Sequence, residues 1–192
     1  MAEQGAEAYG PEGDAAAHRP LLDLETGLRA LRAPGTDAGV VALIVRRRPD
    51  GVRETPERIH LSPEEGVPGD GWLRRPPRDP EAQLAVMRRD VAELIANGQP
   101  LTLFGDNLFV DLDLSAANLP ARTRLRVGRA LVEVTPKPHN GCHKFKGRFG
   151  GDALRFVQQK PTRDQNLRGI YWRVAEPGEV SVGDPIRVLS RA

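Results

Sequence analysis

The sequence predicts a mainly β fold, a barrel or a sandwich, with a few short helices at its periphery. Glycine and proline number 20 and 17 among 192 residues, too many breakers for long helices. Short apolar runs recur between turn signals at roughly 8–12 residue spacing, the pattern of all-β barrels and sandwiches. Aromatic residues are only 5% of the chain, so aliphatic side chains must build the core. The length suffices for one domain with a proper core.

Residues 1 to about 19 are rich in Ala, Gly and Glu and hold few large apolar side chains, which predicts a mobile tail. Leu21, Leu22, Leu24, Leu28 and Leu31 recur at helical intervals, so a short amphipathic helix is expected before Pro34-Gly35. Residues 1–37 are thus read as a flexible tail with a short helix, and 38–192 as the β domain. Val40 to Val45 is a β-branched run, and Pro49-Asp50-Gly51 turns it towards Val52–Leu61 as a hairpin. Gly66 to Trp72 is a glycine-rich turn, and Pro76, Pro77 and Pro80 make an extended linker. From Ala82 to Ala96, Leu84, Met87, Val91, Leu94 and Ile95 have helical spacing, with Asn97-Gly98 as C-cap.

Leu101–Phe104 and Leu108–Leu114 read as β-rich segments around Gly105-Asp106-Asn107. Thr123–Val127 and Ala130–Val134 flank Gly128-Arg129 as a second hairpin. Asp152–Gln158 is a short helix, and Ile170–Val174 and Pro185–Leu189 are closing strands.

No apolar run approaches the roughly 20 residues that span a bilayer, and the N-terminus lacks the features of a signal peptide. The single cysteine cannot close an internal disulfide, which points to a reducing, cytoplasmic setting without membrane attachment. The net charge is only +2, but Lys137 to Arg168 holds eight Lys/Arg against two Asp. This local basic cluster surrounds the lone thiol.

Residues 136–150 carry the chemistry. Two prolines stiffen the approach, and Gly141 allows a tight turn at Cys142. His139 and His143 flank the thiol, and Lys144, Lys146 and Arg148 follow. Cations stabilise a thiolate, the form that attacks or binds metals, and thiolate is a soft ligand suited to transition metals. A lone cysteine is ordinarily a small buried hydrophobe, but these neighbours are poor core material. Paired zinc-ligand spacing is missing. Cys142 and His143 are sequence neighbours, an arrangement that rarely makes a nucleophile–base pair, which leaves His60 as the distant alternative. The basic cluster suits a small anionic cofactor or substrate better than nucleic acid, since no RNA-binding motif is present. Asp111 and Asp113 share a strand face without calcium-loop spacing, and Gly66–Gly71 lacks a nucleotide-loop context.

Several segments together resemble the MOSC family (molybdenum cofactor sulfurase C-terminal-like). They are Gly66-Val67-Pro68-Gly69-Asp70, Gly105-Asp106-Asn107-Leu108, Leu125 to Thr135, Cys142-His143-Lys144, Arg168 to Val174 and Gly178 to Asp184. Their order covers about residues 38 to 189. The resemblance implies a barrel-like MOSC fold and a cysteine, here Cys142, that binds molybdenum beside the pterin dithiolene. It implies a reductase of N-hydroxylated or other N–O compounds, served by an electron donor. His139, His143, Lys144, Lys146 and Arg148 would serve the cofactor, Asp106 and Asn107 would shape the pocket, and Asp111 would relay a proton. Residues 1–37 are too short for the reductases' additional barrel or the sulfurases' pyridoxal-phosphate domain, so pyridoxal phosphate is not expected. The alternatives are a persulfide sulfur carrier supplied by a cysteine desulfurase, and a non-catalytic basic module that binds an acidic partner or nucleic acid.

Overall fold

The computed structural model describes residues 10–74 and 76–191. Its strands are β1 (Ala38–Ile44), β2 (Arg46–Arg47), β3 (Arg53–Glu54), β4 (Arg58–Leu61), β5 (Leu84–Arg88), β6 (Leu108–Val110), β7 (Arg124–Val127), β8 (Ala130–Val134), β9 (Ile170–Glu176), β10 (Gly178–Ser181) and β11 (Pro185–Ser190). The helices are α1 (Leu21–Ala30), α2 (Arg89–Ala96), α3 (His143–Phe149) and α4 (Gly151–Gln158). Seven strands close a barrel in the order β1-β11-β7-β8-β9-β5-β6. Closure leaves the barrel no free edge. All neighbours are antiparallel except β5 and β6.

Two cores share one wall. Leu84, Val86, Leu108, Val110, Val132 and Trp172 fill the barrel. Met87, Phe109, Phe104, Phe145, Phe149 and Phe156 form a second core with α1–α4 outside it. Alternate residues of β5 and β6 therefore enter different cores, and every residue of both strands is buried.

That double burial corrects the reading of Ala82–Ala96. A strand covered on both faces is apolar throughout and loses its period of two. Leu84 and Met87 belong to β5, and the helix begins only at Arg89. Its end falls where expected, with Asn97 left-handed at φ 50°. Leu101–Leu103 is a 3-10 turn rather than a strand. The first hairpin shrinks to β2–β3, while β4 pairs with β10 and β1 lies between β6 and β11. The β7–β8 hairpin stands as read.

The N-terminal segment is a further correction. Residues 10–19 are not loose. Arg148 Nε donates to Pro11 O (2.9 Å), the Asp14 amide donates to Gln99 Oε1 (2.7 Å), and Asn97 Nδ2 donates to Ala17 O (3.1 Å). Residues 1–9, the rest of that expected tail, lie outside the described residues. Leu24 of α1 is fully buried, worth about 1.5–3 kcal/mol. A Cβ on Gly27 would stand 2.3 Å from Leu94 Cδ1, so glycine permits α1 to close on α2. No described helix is long and apolar enough to cross a membrane.

Candidate functional site

Cys142 is exposed and immediately precedes α3. It lines a pocket of about 330 Å³ between α3, the β2–β3 hairpin, the β4–β5 connection and the start of β9. The seven residues of α3 hold two phenylalanines among glycine and basic side chains. Those phenylalanines, Phe145 and Phe149, anchor it in the second core.

The lining brings together Arg47, Arg53, Lys144, Arg148 and Arg168, with Asp79 as the carboxylate among the described lining residues. Two of the arginines are held from behind by buried acids. Arg168 Nη1 donates to both Asp106 oxygens, at 2.9 and 2.7 Å, and its guanidinium stands 5.2 Å from the Phe145 ring centre. Arg47 forms a close ion pair with Asp70, whose Oδ1 also accepts from the Arg47 amide at 2.7 Å. Backbone geometry sets these positions. Gly169 follows Arg168 at φ 97°, where a Cβ would lie 2.1 Å from Val86 O. Gly105 precedes Asp106 at φ 77°.

Burial pushes Asp106 above the usual carboxylate range, and the pull of Arg168 only partly opposes it. Burial also raises Asp70, but there the hydrogen bond and charge of Arg47 prevail and its carboxyl lies below the ordinary value. His139 is held neutral, well below the usual histidine range, by burial and then by the charges of Arg168 and Arg47. Its Nδ1 stands 3.6 Å from Asp106 Oδ1, too long for a hydrogen bond. Its ring packs on Tyr171 at 4.3 Å between centroids. Burial, followed by the Asp106 charge, raises the Tyr171 phenol. At the rim, Lys137 pairs closely with Asp79.

The structure divides the expected site residues. Cys142, His139, Lys144 and Arg148 line the pocket, and Asp106 lies directly behind Arg168. Arg148 has a structural share as well, since it donates to the backbone oxygens of Pro11 and Leu103. His143 and Lys146 are exposed and lie off the lining. Asn107 does not shape the pocket. Its side chain accepts from the Ala85 amide and donates to Val45 O, bridging strands. Asp111 stands apart, in a two-pronged ion pair with Arg89 at 3.0 and 2.8 Å, so the proton-relay role does not fit it. Asp113 closes its own turn through Ser115. His60 is exposed on β4 and off the lining.

Arg47, Asp70, Arg168 and Tyr171 were not singled out by residue chemistry. Asp70, Arg168 and Tyr171 lie within the segments that carry the family resemblance, and Arg47 sits in an Arg46-Arg47-Arg48 run that reads as solvated surface. Among the described residues no three His, Cys, Asp or Glu side chains converge as a metal site.

The fold has solved counterparts. YiiM from Escherichia coli is 24% identical with a TM-score of 0.54, covering 80% of this chain and 71% of that one. The YuaD protein from Bacillus subtilis is 18% identical with a TM-score of 0.58, covering 81% and 97%. YiiM from Geobacillus stearothermophilus is 17% identical with a TM-score of 0.53, covering 80% and 76%. No curated protein matches the chain. Residues 58–187, well over half of the sequence and including every pocket residue from Trp72 onward, match the MOSC domain, and the chain therefore belongs to the MOSC family.

Proposed function

We propose that this protein holds molybdenum cofactor through Cys142 and reduces N-hydroxylated or related N–O compounds in a reducing cytoplasm. The observation that carries this reading is an exposed thiol on the wall of a pocket whose described lining holds five cations and one carboxylate. These residues fit the cofactor. A thiolate is a soft ligand for the metal, and the remaining sulfur ligands would come from the pterin. Lys144, Arg47 and Arg168 would face its anionic parts.

When bound, molybdenum cofactor would supply two-electron, oxygen-atom-transfer chemistry. Overall, R–NHOH with two electrons and two protons gives R–NH₂ and water. The chain's own groups prepare the pocket for that conversion. Asp106 and Asp70 hold Arg168 and Arg47 in place before any ligand arrives, so little reorganisation is needed. Neutral His139 adds no charge to this cationic wall. Tyr171 keeps its phenol protonated at neutral pH and offers a hydrogen-bond donor at the lining.

The test uses protein purified from cells that make the full cofactor. Molybdenum by mass spectrometry and pterin by fluorescence are expected in the wild type and absent from Cys142→Ala. Reduction of an aromatic N-hydroxyamidine, driven by a dye electron donor, follows the same pattern. Wild-type protein free of both metal and pterin overturns the reading.

The exposure of Cys142 also favours a second reading, in which the thiol carries sulfur as a persulfide. Incubation with a cysteine desulfurase and free cysteine then adds the mass of one sulfur atom at Cys142. An unmodified thiol under those conditions removes this alternative.

A further inference from the structure

A second cavity, of about 670 Å³, shares His139 and Arg168 with the Cys142 pocket and none of its other lining residues. Its frame is built. Gln158 Nε2, at the end of α4, donates to Gly141 O at 3.1 Å and ties the 138–141 loop to that helix. Asn166 is left-handed at φ 50° and donates from Nδ2 to Leu114 O at 2.8 Å. Arg163 stands on the 3-10 turn between them (Lys160–Gln165).

The described lining holds Arg163 and Arg168, the carboxamides of Asn140, Gln158 and Asn166, and no carboxylate. Two buried polar atoms of the shared wall, Arg168 Nε and His139 Nδ1, have no hydrogen-bond partner among the described residues. Their side chains are only 9% and 6% exposed. Buried donors and acceptors in folded proteins are nearly always satisfied, so each orphan calls for an explanation. Arg168 is oriented by Asp106 through Nη1, and its buried Nε–H has no partner among the described residues.

We propose that this second cavity binds the oxyanion of a small ligand, a carboxylate or a phosphate group. Arg168 supplies a preset N–H, Arg163 supplies the charge and the carboxamides complete the shell. Asp106 already neutralises Arg168, so the net attraction rests on Arg163. The site shares Arg168 and His139 with the Cys142 pocket, and Lys144, which lines that pocket alone, tells the two apart.

The full-length protein is titrated with inorganic phosphate and, separately, with acetate. The Arg168 Nε–Hε resonance and calorimetric heat are followed. Both anions are expected to shift that resonance, and the tighter of the two identifies the group preferred. Arg163→Ala weakens binding by at least about tenfold, the scale of one charge-assisted hydrogen bond. Arg163→Lys, which keeps the charge on this exposed turn, retains most of it. Lys144→Ala, in the Cys142 pocket alone, leaves it unchanged. No shift with either anion at millimolar concentration overturns the proposal. Loss of binding in Lys144→Ala but not in Arg163→Ala also overturns it, because the anion then occupies the Cys142 pocket.

Discussion

The basic residues around Cys142 fall into two groups that look alike in sequence and differ in physics. Arg47 and Arg168 are drawn inward and held by the buried carboxylates Asp70 and Asp106. Lys146 and its neighbour His143 stand on the open face of α3. A lysine ammonium is a mobile, strongly hydrated charge, whereas a guanidinium gripped by a carboxylate has one direction. The difference teaches that the pocket's electrostatics come from preset arginines distant in sequence, more than from the basic run beside the thiol.

The largest effect should come from removing a buried clamp. Asp106→Asn leaves Arg168 as an uncompensated charge and is expected to cost about 3–5 kcal/mol, read by urea denaturation. A loss below about 1 kcal/mol would mean that Arg168 is not clamped in solution. Asp70→Asn should cost less, about 2 kcal/mol, because Arg47 remains 21% exposed and retains some hydration.

The next effect is one of pH. His139 titrates well below the ordinary histidine value in the folded chain, and near 6.5 when unfolded. As pH falls through about 6.5 the unfolded state takes up a proton that the folded state refuses. The stability that neutral His139 contributes is therefore complete above that pH and lost on acidification. Asp106 acts with the opposite sign, since its raised folded value makes protonation easier in the native state. Melting temperatures between pH 8 and 5 should thus fall less steeply in His139→Gln than in the wild type. Identical slopes would contradict a buried neutral imidazole.

The smallest effects belong to the surface group. Lys146→Ala should change stability by no more than about 0.5 kcal/mol, and should leave molybdenum retention intact while Lys144→Ala lowers it. Asp111→Asn breaks an exposed ion pair with Arg89 and should cost at most about 1 kcal/mol, diminishing with salt. Reduced metal retention in Asp111→Asn would bring that residue back into the site.

Much of the barrel was legible because local rules were obeyed. The β7–β8 hairpin announces itself through alternating apolar residues around Gly128-Arg129, and the end of α2 through Asn97-Gly98. The reading failed where two cores meet. Leu84, Val86 and Met87 are all apolar because helices cover the outer face of β5, and sequence periodicity does not report that coverage. Likewise the N-terminal segment has little apolar content, yet residues 10–19 are held by side chain–backbone hydrogen bonds to α2, α3 and the turn after α2.

By itself, the sequence determined the class of fold, the single thiol and the glycines that let the chain turn beside it. Cys142, Gly141 and Gly169 act through covalent and backbone properties that residue identity specifies. Only the tertiary structure decided which charges meet that thiol. Arg47, Asp70, Asp106 and Arg168 come from four separate segments, and their pairing arises because barrel closure removes them from water, where an unpaired charge is too costly to keep.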